Sequence, residues 1–189
     1  MISPWTTPTS VTIGARTYEI NADFRDVLDI LAQLNNEEND EETRLYVALA
    51  LFYEGFAEMS QADYREAIEY IFDFIACGAE KHEERAPPPK SIDWEQDALM
   101  IVAEVNKIAA AEIRSLPFYH WFSFIAAFNS IGDGQLATVV SIRSKLRKGK
   151  KLEKYERDFY RDNKHLVDFK VRYTDAELAE RERLEALLG

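Results

Sequence analysis

One stretch near the middle of the chain limits the folds that this sequence can adopt. Residues 115–134 read SLPFYHWFSFIAAFNSIGDG and contain six aromatic residues and one of the chain's three histidines. At helical spacing these side chains cover most of the circumference, and such a helix must be buried, either at the centre of a domain or between subunits. Both places stay open. The candidate contacts with a partner or a second copy are Phe118, Trp121, Phe122, Phe124 and Phe128.

The composition is that of a folded globular protein. The chain has 189 residues, of which 47% are hydrophobic and 30% are charged, and this length favours one well-buried domain. No apolar run reaches the roughly 18 residues that a membrane span needs, and the first residues lack the pattern of a signal peptide. We therefore expect a cytoplasmic protein with no membrane role.

Charge is distributed unevenly along the chain. The net charge is −11, yet the segment 143–172 holds twelve Lys or Arg and five Asp or Glu, so its own balance is +7 and the remainder carries −18. Acidic residues are interleaved within the basic segment, which is typical of a solvated helix face. An acidic protein partner and a nucleic acid are the other two interpretations, although the overall charge repels nucleic acid.

The N-terminal part predicts a hairpin followed by helices. Residues 10–21 alternate apolar and polar side chains around a Gly14-Ala15 turn. After Asp23, a candidate N-cap, apolar residues recur with the helical period. The run NNEENDEE at 35–42 is typical of a solvated helix start, because it lacks the glycine and the alternating ligands of a calcium loop.

Further helices are predicted along the rest of the chain. One begins after Ser60 and ends near Gly78, a candidate C-cap. Three consecutive prolines then favour an exposed connector. Asp93 and Pro117 mark the expected starts of two helices in the second half, and another is expected at about 135–147.

The complete pattern predicts a mainly α fold of about seven to eight helices with a short N-terminal β-hairpin. Helical periodicity continues through residues 150–166, and Thr174 opens a last helix. The expected segments are an N-terminal β-hairpin arm at 1–22, an N-terminal helical half at 23–78, a Pro-rich linker at 79–92, a C-terminal helical half at 93–172 and a C-terminal helical extension at 173–189.

The patterns of known catalytic sites are missing from the sequence. His82, His120 and His165 lie far apart, and none has the Glu three residues earlier that carboxylate-bridged metal sites use. There is no cysteine pair for zinc and no glycine-rich phosphate loop. Cys77 stands on an apolar stripe and is expected to be buried. We therefore expect a protein that is not an enzyme and that carries no metal and no cofactor.

Three segments of the second half, taken in order, resemble the bacteriophage gene-product-fifteen family of tail-region proteins. They read DWEQDALMIVAEV at 93–105, LPFYHWFSFIAAFNSI at 116–131 and TVVSIRSKLRKGKKL at 138–152, and the resemblance covers roughly residues 17–165. The residues that match the family's pattern are Asp93, Trp94 and Asp97; His120, Trp121 and Phe124; and Ser141, Ile142 and Arg143.

The resemblance implies a role in building the tail of a long-tailed phage, a siphovirus or a prophage of Gram-positive bacteria. Family members are usually encoded between the major tail-tube protein and the tape-measure protein, which implies a tail-assembly chaperone that keeps the tape measure soluble. The implied partners are the tape-measure protein and, as a further candidate, the tail-tube protein. A homo-oligomer that works in the host cytoplasm during virion assembly is also expected.

A set of basic residues is expected to contact an acidic partner: Arg143, Arg147, Lys148, Lys150 and Lys151. The alternative function is a nucleic-acid-associated phage protein that uses the basic segment 143–172 on phosphates. Binding that weakens steeply with salt would favour that alternative.

Overall fold

The described part of the chain is mainly α-helical, as the sequence predicts. A computed structural model describes residues 2–3, 5–79, 90–170, 183–184 and 186. The prolines at 87–89 and most of the predicted extension at 173–189 lie outside these residues. The elements are β1 (Ser10–Ile13), β2 (Arg16–Glu19), α1 (Phe24–Leu34), α2 (Glu41–Phe52), α3 (Tyr64–Ile75), α4 (Ala98–Ala109), α5 (Trp121–Asn129), α6 (Gln135–Arg147), α7 (Lys154–Asp162) and α8 (Lys164–Val167).

The N-terminal hairpin lies against the helices. β1 and β2 pair antiparallel, with Val11 opposite Tyr18 and Ile13 opposite Arg16. The side chains of Ile13 and Tyr18 are buried, and the Tyr18 ring packs edge-on against Tyr53 with ring centroids 5.9 Å apart. One face of the hairpin therefore covers the core, while the alternate residues face outward.

The first two helices each start after an aspartate that caps the backbone, and Asp23 is the cap that the sequence predicts. Asp23 precedes α1, and its Oδ1 accepts a hydrogen bond from the N–H of Arg25 at 3.0 Å. Asp40 precedes α2 and accepts from the N–H of Thr43 at 2.7 Å. The acidic run is thus a helix start, as predicted, because the carboxylate of Asp40 satisfies an N–H group that has no partner within the helix.

α3 is followed by a turn that requires glycine at position 78. Gly78 has φ +71°, and its N–H donates to the carbonyl of Asp73 at 2.9 Å. A Cβ at this position would lie 2.6 Å from the backbone oxygen of Ile2. Both the left-handed backbone and the close approach of the N-terminal segment exclude a larger residue.

α4 and the last two helices differ from the predicted boundaries. Asp93 caps a turn at 94–97 and accepts from the N–H of Glu95 at 3.0 Å, so α4 starts only at Ala98. The helix predicted at 150–166 is divided at Asn163 into α7 and α8.

α5 starts four residues after Pro117, where the sequence predicted its first turn. Backbone groups just before α5 pair with the start of α1 instead of with each other. The N–H of Phe24 donates to the carbonyl of Tyr119 at 3.0 Å, and the N–H of Trp121 donates to the carbonyl of Ala22 at 2.8 Å. These long-range hydrogen bonds compete with the helical ones and delay the helix.

One hydrophobic core joins the two predicted helical halves. Phe74 of α3 and Val139 of α6 are both fully buried in it. The indole N–H of Trp121 donates to the carbonyl of Ile75 at 3.0 Å and so ties α5 to α3. Within the described residues, no helix is both long enough and apolar enough to cross a membrane.

Candidate functional site

Arg143 and Asp97 form a buried ion pair between α6 and the start of α4. Nη1 of Arg143 lies 2.6 Å from Oδ2 of Asp97, and Nη2 lies 2.9 Å from Oδ1. The side chains are 4% and 0% exposed, respectively. Two parallel hydrogen bonds between charged groups are the strong form of this interaction, and burial protects them from screening by salt.

Three backbone carbonyls use the other donors of Arg143. Nε donates to the carbonyl of Val167 at 2.7 Å, Nη1 to that of Ser91 at 3.1 Å, and Nη2 to that of Leu166 at 2.7 Å. Together with the two bonds to Asp97, these account for all five N–H donors of a guanidinium. The ion pair and its three carbonyls are named the Arg143 clasp.

Neighbouring groups hold both sides of the clasp in place. Oδ2 of Asp97 also accepts from the N–H of Asp93 at 3.0 Å. The guanidinium of Arg143 stands 4.1 Å from the ring centroid of Phe169, which is a cation–π contact. The clasp therefore joins the loop before α4, the middle of α6 and the segment that ends α8.

This geometry corrects the expectation that Arg143 contacts an acidic partner. The side chain is buried and has no donor left for another molecule. The sequence did hold a signal for this, because Arg143 falls on the same stripe of α6 as the buried residues Leu136 and Val139. The clasp also brings together Asp93, Asp97 and Arg143, which carry part of the family resemblance.

The other four predicted basic contacts lie on the surface near the end of α6. They are Arg147, Lys148, Lys150 and Lys151, all of which are exposed. Arg147 also donates to the carbonyl of Lys90 at 3.2 Å. A contact of this group with an acidic surface or with phosphate stays a prediction.

Lys145 lies in the same basic segment but pairs inward with Glu156. Its Nζ lies 2.7 Å from each carboxylate oxygen of Glu156, whose side chain is 1% exposed. Glu156 also accepts from the N–H of Glu153 at 2.8 Å. The hydrogen bond from Lys145 is the main cause that lowers the pKa of Glu156 below its ordinary value of 4.5.

We expect acid to destabilise the fold partly through Glu156. Because its pKa is lower in the folded chain, the unfolded chain binds more protons as the pH falls below about 4.5, and stability is lost. The variant Glu156→Gln should weaken this pH dependence and cost about 1–3 kcal/mol at neutral pH, where the hydrogen bonds of the carboxylate are lost. Urea unfolding at pH 7 and pH 4 measures both effects.

The control for this measurement is Glu54→Gln at an exposed position. It should retain the pH dependence of the unchanged protein. The same dependence in Glu156→Gln would mean that Glu156 does not contribute to acid sensitivity.

Three of the five aromatic candidates belong to the core of the single chain. Trp121, Phe122 and Phe124 are 1%, 9% and 1% exposed, and the rings of Trp121 and Phe124 stack with centroids 5.6 Å apart. The sequence left open whether these residues lie in the core or at an interface. The structure places these three in the core. Phe128 is half-buried, whereas Phe118 is 49% exposed. Phe118 is therefore the most exposed of the five candidates.

His120 supports the start of α5 from within the core. Its Nδ1 accepts from the N–H of Phe122 at 3.0 Å, and its Nε2 lies 3.0 Å from the carbonyl oxygen of Pro8. Because a carbonyl only accepts, these partners assign the neutral ring with its hydrogen on Nε2. Both ring nitrogens thus have structural partners.

Cys77 is half-buried after α3 and packs against the core. Burial raises the pKa of its thiol to about 11, so the thiol stays protonated at neutral pH and is a poor nucleophile. In the described ranges, no group of three or more His, Cys, Asp or Glu side chains is placed to hold a metal ion.

Fold and site together define a mainly α-helical protein with one core, in which a buried arginine–carboxylate pair joins distant segments. The chain belongs to the Bacteriophage Gp15 protein family, whose model matches residues 6–169. A search of curated proteins and a search of solved structures each found no match. The matched range contains the hairpin, helices α1 to α8 and the Arg143 clasp, so the family assignment covers nearly all of the described fold.

Proposed function

We propose that this phage protein is a non-catalytic tail-assembly chaperone that binds the tape-measure protein. Membership of the Bacteriophage Gp15 protein family supports a role in a phage or prophage. The ordered segments at 93–105, 116–131 and 138–152 resemble tail-region proteins encoded beside the tape-measure gene. A gene in that position is expected to encode a chaperone for the tape-measure protein.

This proposal rests on large apolar side chains that lie on the surface although the chain also has a buried hydrophobic core. Phe72 is 44% exposed, Phe118 is 49% exposed and Leu99 is 77% exposed. A chaperone for a long, apolar, helical protein must offer apolar groups of its own to cover apolar stripes of its client. These side chains are available for that contact because the core does not use them fully.

The uneven charge supports the same role. The acidic first half keeps the complex with an apolar client soluble, and the exposed lysines after α6 engage acidic surfaces, with the tail-tube protein as a candidate. Self-association of the chaperone would multiply these contacts along one client. The work is done in the host cytoplasm before the tube is complete.

Co-purification of the tagged protein with the tape-measure protein of the same phage genome tests this proposal. Light scattering on the eluted species gives the stoichiometry. We expect a stable complex in which the tape measure stays soluble, whereas it precipitates when expressed alone. A tape measure that stays insoluble in the presence of the folded protein would overturn the chaperone function.

A further inference from the structure

A groove of about 300 Å³ opens where α1 ends, α2 begins and α3 ends. Helix α2 packs against both α1 and α3. Its apolar lining comes from all three helices and consists of Leu31, Leu34, Leu45, Phe72 and Ile75. The groove lies outside the Arg143 clasp and includes none of the five aromatic candidates named from the sequence.

The lining includes a second apolar stripe on α3. Ala67, Ile71 and Phe74 face the core and are buried. Phe72 points away from that face, is 44% exposed and lines the groove together with Ile75. A phenylalanine exposed to this extent beside further apolar side chains is the usual form of an anchor site for another protein.

The three helices that line the groove, together with their connections, are strongly acidic. Residues 23–73 contain fourteen Asp or Glu and three Lys or Arg, which is a net charge of −11. Five of these carboxylates fall within residues 37–42 at the start of α2, and Glu41 itself lines the groove. This field attracts a positively charged partner and repels an acidic one, a second copy of this acidic half included.

Arg44 on the groove wall lacks one hydrogen-bond acceptor. Its Nη1 donates to the carbonyl of Leu34 at 3.2 Å. Its Nε is buried and has no partner within the part of the chain that the structure describes. A buried donor of this kind normally has an acceptor, so the hydrogen bonding of this part of the groove wall is incomplete within the described residues.

We propose that this groove docks a basic amphipathic helix of a partner protein. Apolar residues of that helix at i, i+3 and i+4 would fill the space beside Phe72, and flanking Lys or Arg would face the carboxylates at 37–42. The identity of the helix rests on the proposed function, under which it is a segment of the tape-measure protein. The groove then selects which tape-measure helices the chaperone covers.

The test uses overlapping peptides that tile the tape-measure sequence, titrated against the full chain by fluorescence anisotropy. Phe72→Ala should weaken the binding of basic amphipathic peptides by about tenfold or more, the loss typical of an anchor residue. Reversing charge in Glu41→Lys/Glu42→Lys should weaken the same peptides and flatten the salt dependence. The matched control is Ile108→Ala on α4, which is also 44% exposed, and its affinity should stay within about twofold.

The possible outcomes separate this inference from the proposed function. If the unchanged protein solubilises the full-length tape measure and Phe72→Ala retains every affinity, the function stands and the groove is excluded. If Phe118→Ala abolishes binding instead, the docking surface lies at the start of α5. If Phe72→Ala changes only the oligomer size in light scattering, the groove binds a second copy. If no tape-measure peptide binds the unchanged protein, the proposed function itself is contradicted.

Discussion

Replacement of Arg143 by alanine is expected to lower the free energy of unfolding by about 3–5 kcal/mol. The variant removes five hydrogen bonds and leaves Asp97 as a buried carboxylate without its counter-ion. The carbonyls of Leu166 and Val167 also lose their hydrogen bonds from Arg143, so the segment that ends α8 should detach first. Urea unfolding followed by circular dichroism measures the loss, and hydrogen exchange locates it.

Three variants show whether the pairing itself is responsible. Arg143→Lys keeps the charge but cannot form the bidentate contact, so most of the loss should remain. The double change Arg143→Met/Asp97→Leu removes both charges and should be less damaging than the sum of the single changes, because no buried charge is left unpaired. Arg147→Ala, at an exposed arginine on the same helix, should cost less than about 1 kcal/mol. Equal losses in Arg143→Ala and Arg147→Ala would contradict the structural role of the clasp.

Truncation of Trp121 to alanine is expected to cost about 3–5 kcal/mol. The side chain is 1% exposed and packs against the rings of Trp94 and Phe124. Its removal leaves a large cavity and takes the indole hydrogen bond from the carbonyl of Ile75. Thermal and urea unfolding should therefore show a strongly destabilised or unfolded chain.

Two further variants separate a core role from a docking role. Trp121→Phe retains much of the volume but not the indole N–H, so we expect an intermediate loss. Phe118→Ala truncates an aromatic residue that is 49% exposed, and its stability should change by less than about 1 kcal/mol. If the Trp121→Ala variant has unchanged stability but no longer binds the tape measure, Trp121 is an interface residue and not a core residue.

The carboxyl of Asp23 lies where the start of α1 meets the segment before α5. Burial opposes ionisation of Asp23, but hydrogen bonds from Arg25 and from the N–H of Tyr119 outweigh it and lower the pKa of this carboxyl. Asp23 was predicted only as a helix cap. Its contact with Tyr119, which lies 96 residues later in the chain, has no local signal.

Features that depend on neighbouring residues could be predicted from the amino-acid sequence. The hairpin turn, the cap at Asp23, the helix start in the acidic run before α2, the end of α3 near Gly78 and the mainly α fold all follow from side chains within a few positions of each other. Local hydrogen bonds and the period of apolar residues decide them, so distant parts of the chain are not needed. The family resemblance is a different kind of information, since it depends on an ordered series of matching segments.

Features that depend on residues far apart in the sequence could be determined only from the tertiary structure. Arg143 carries a charge that predicts exposure, yet Asp97 and three backbone carbonyls bury it, because a fully paired guanidinium can be stable without water. The start of α5 shifts from Pro117 to Trp121, because backbone groups of Ala22 and Phe24 take the hydrogen bonds of the preceding residues. Phe72 and Trp121 are both aromatic residues on apolar helices, and only their packing distinguishes an exposed side chain from a core side chain. Composition and periodicity describe one helix at a time, whereas burial depends on which helices meet.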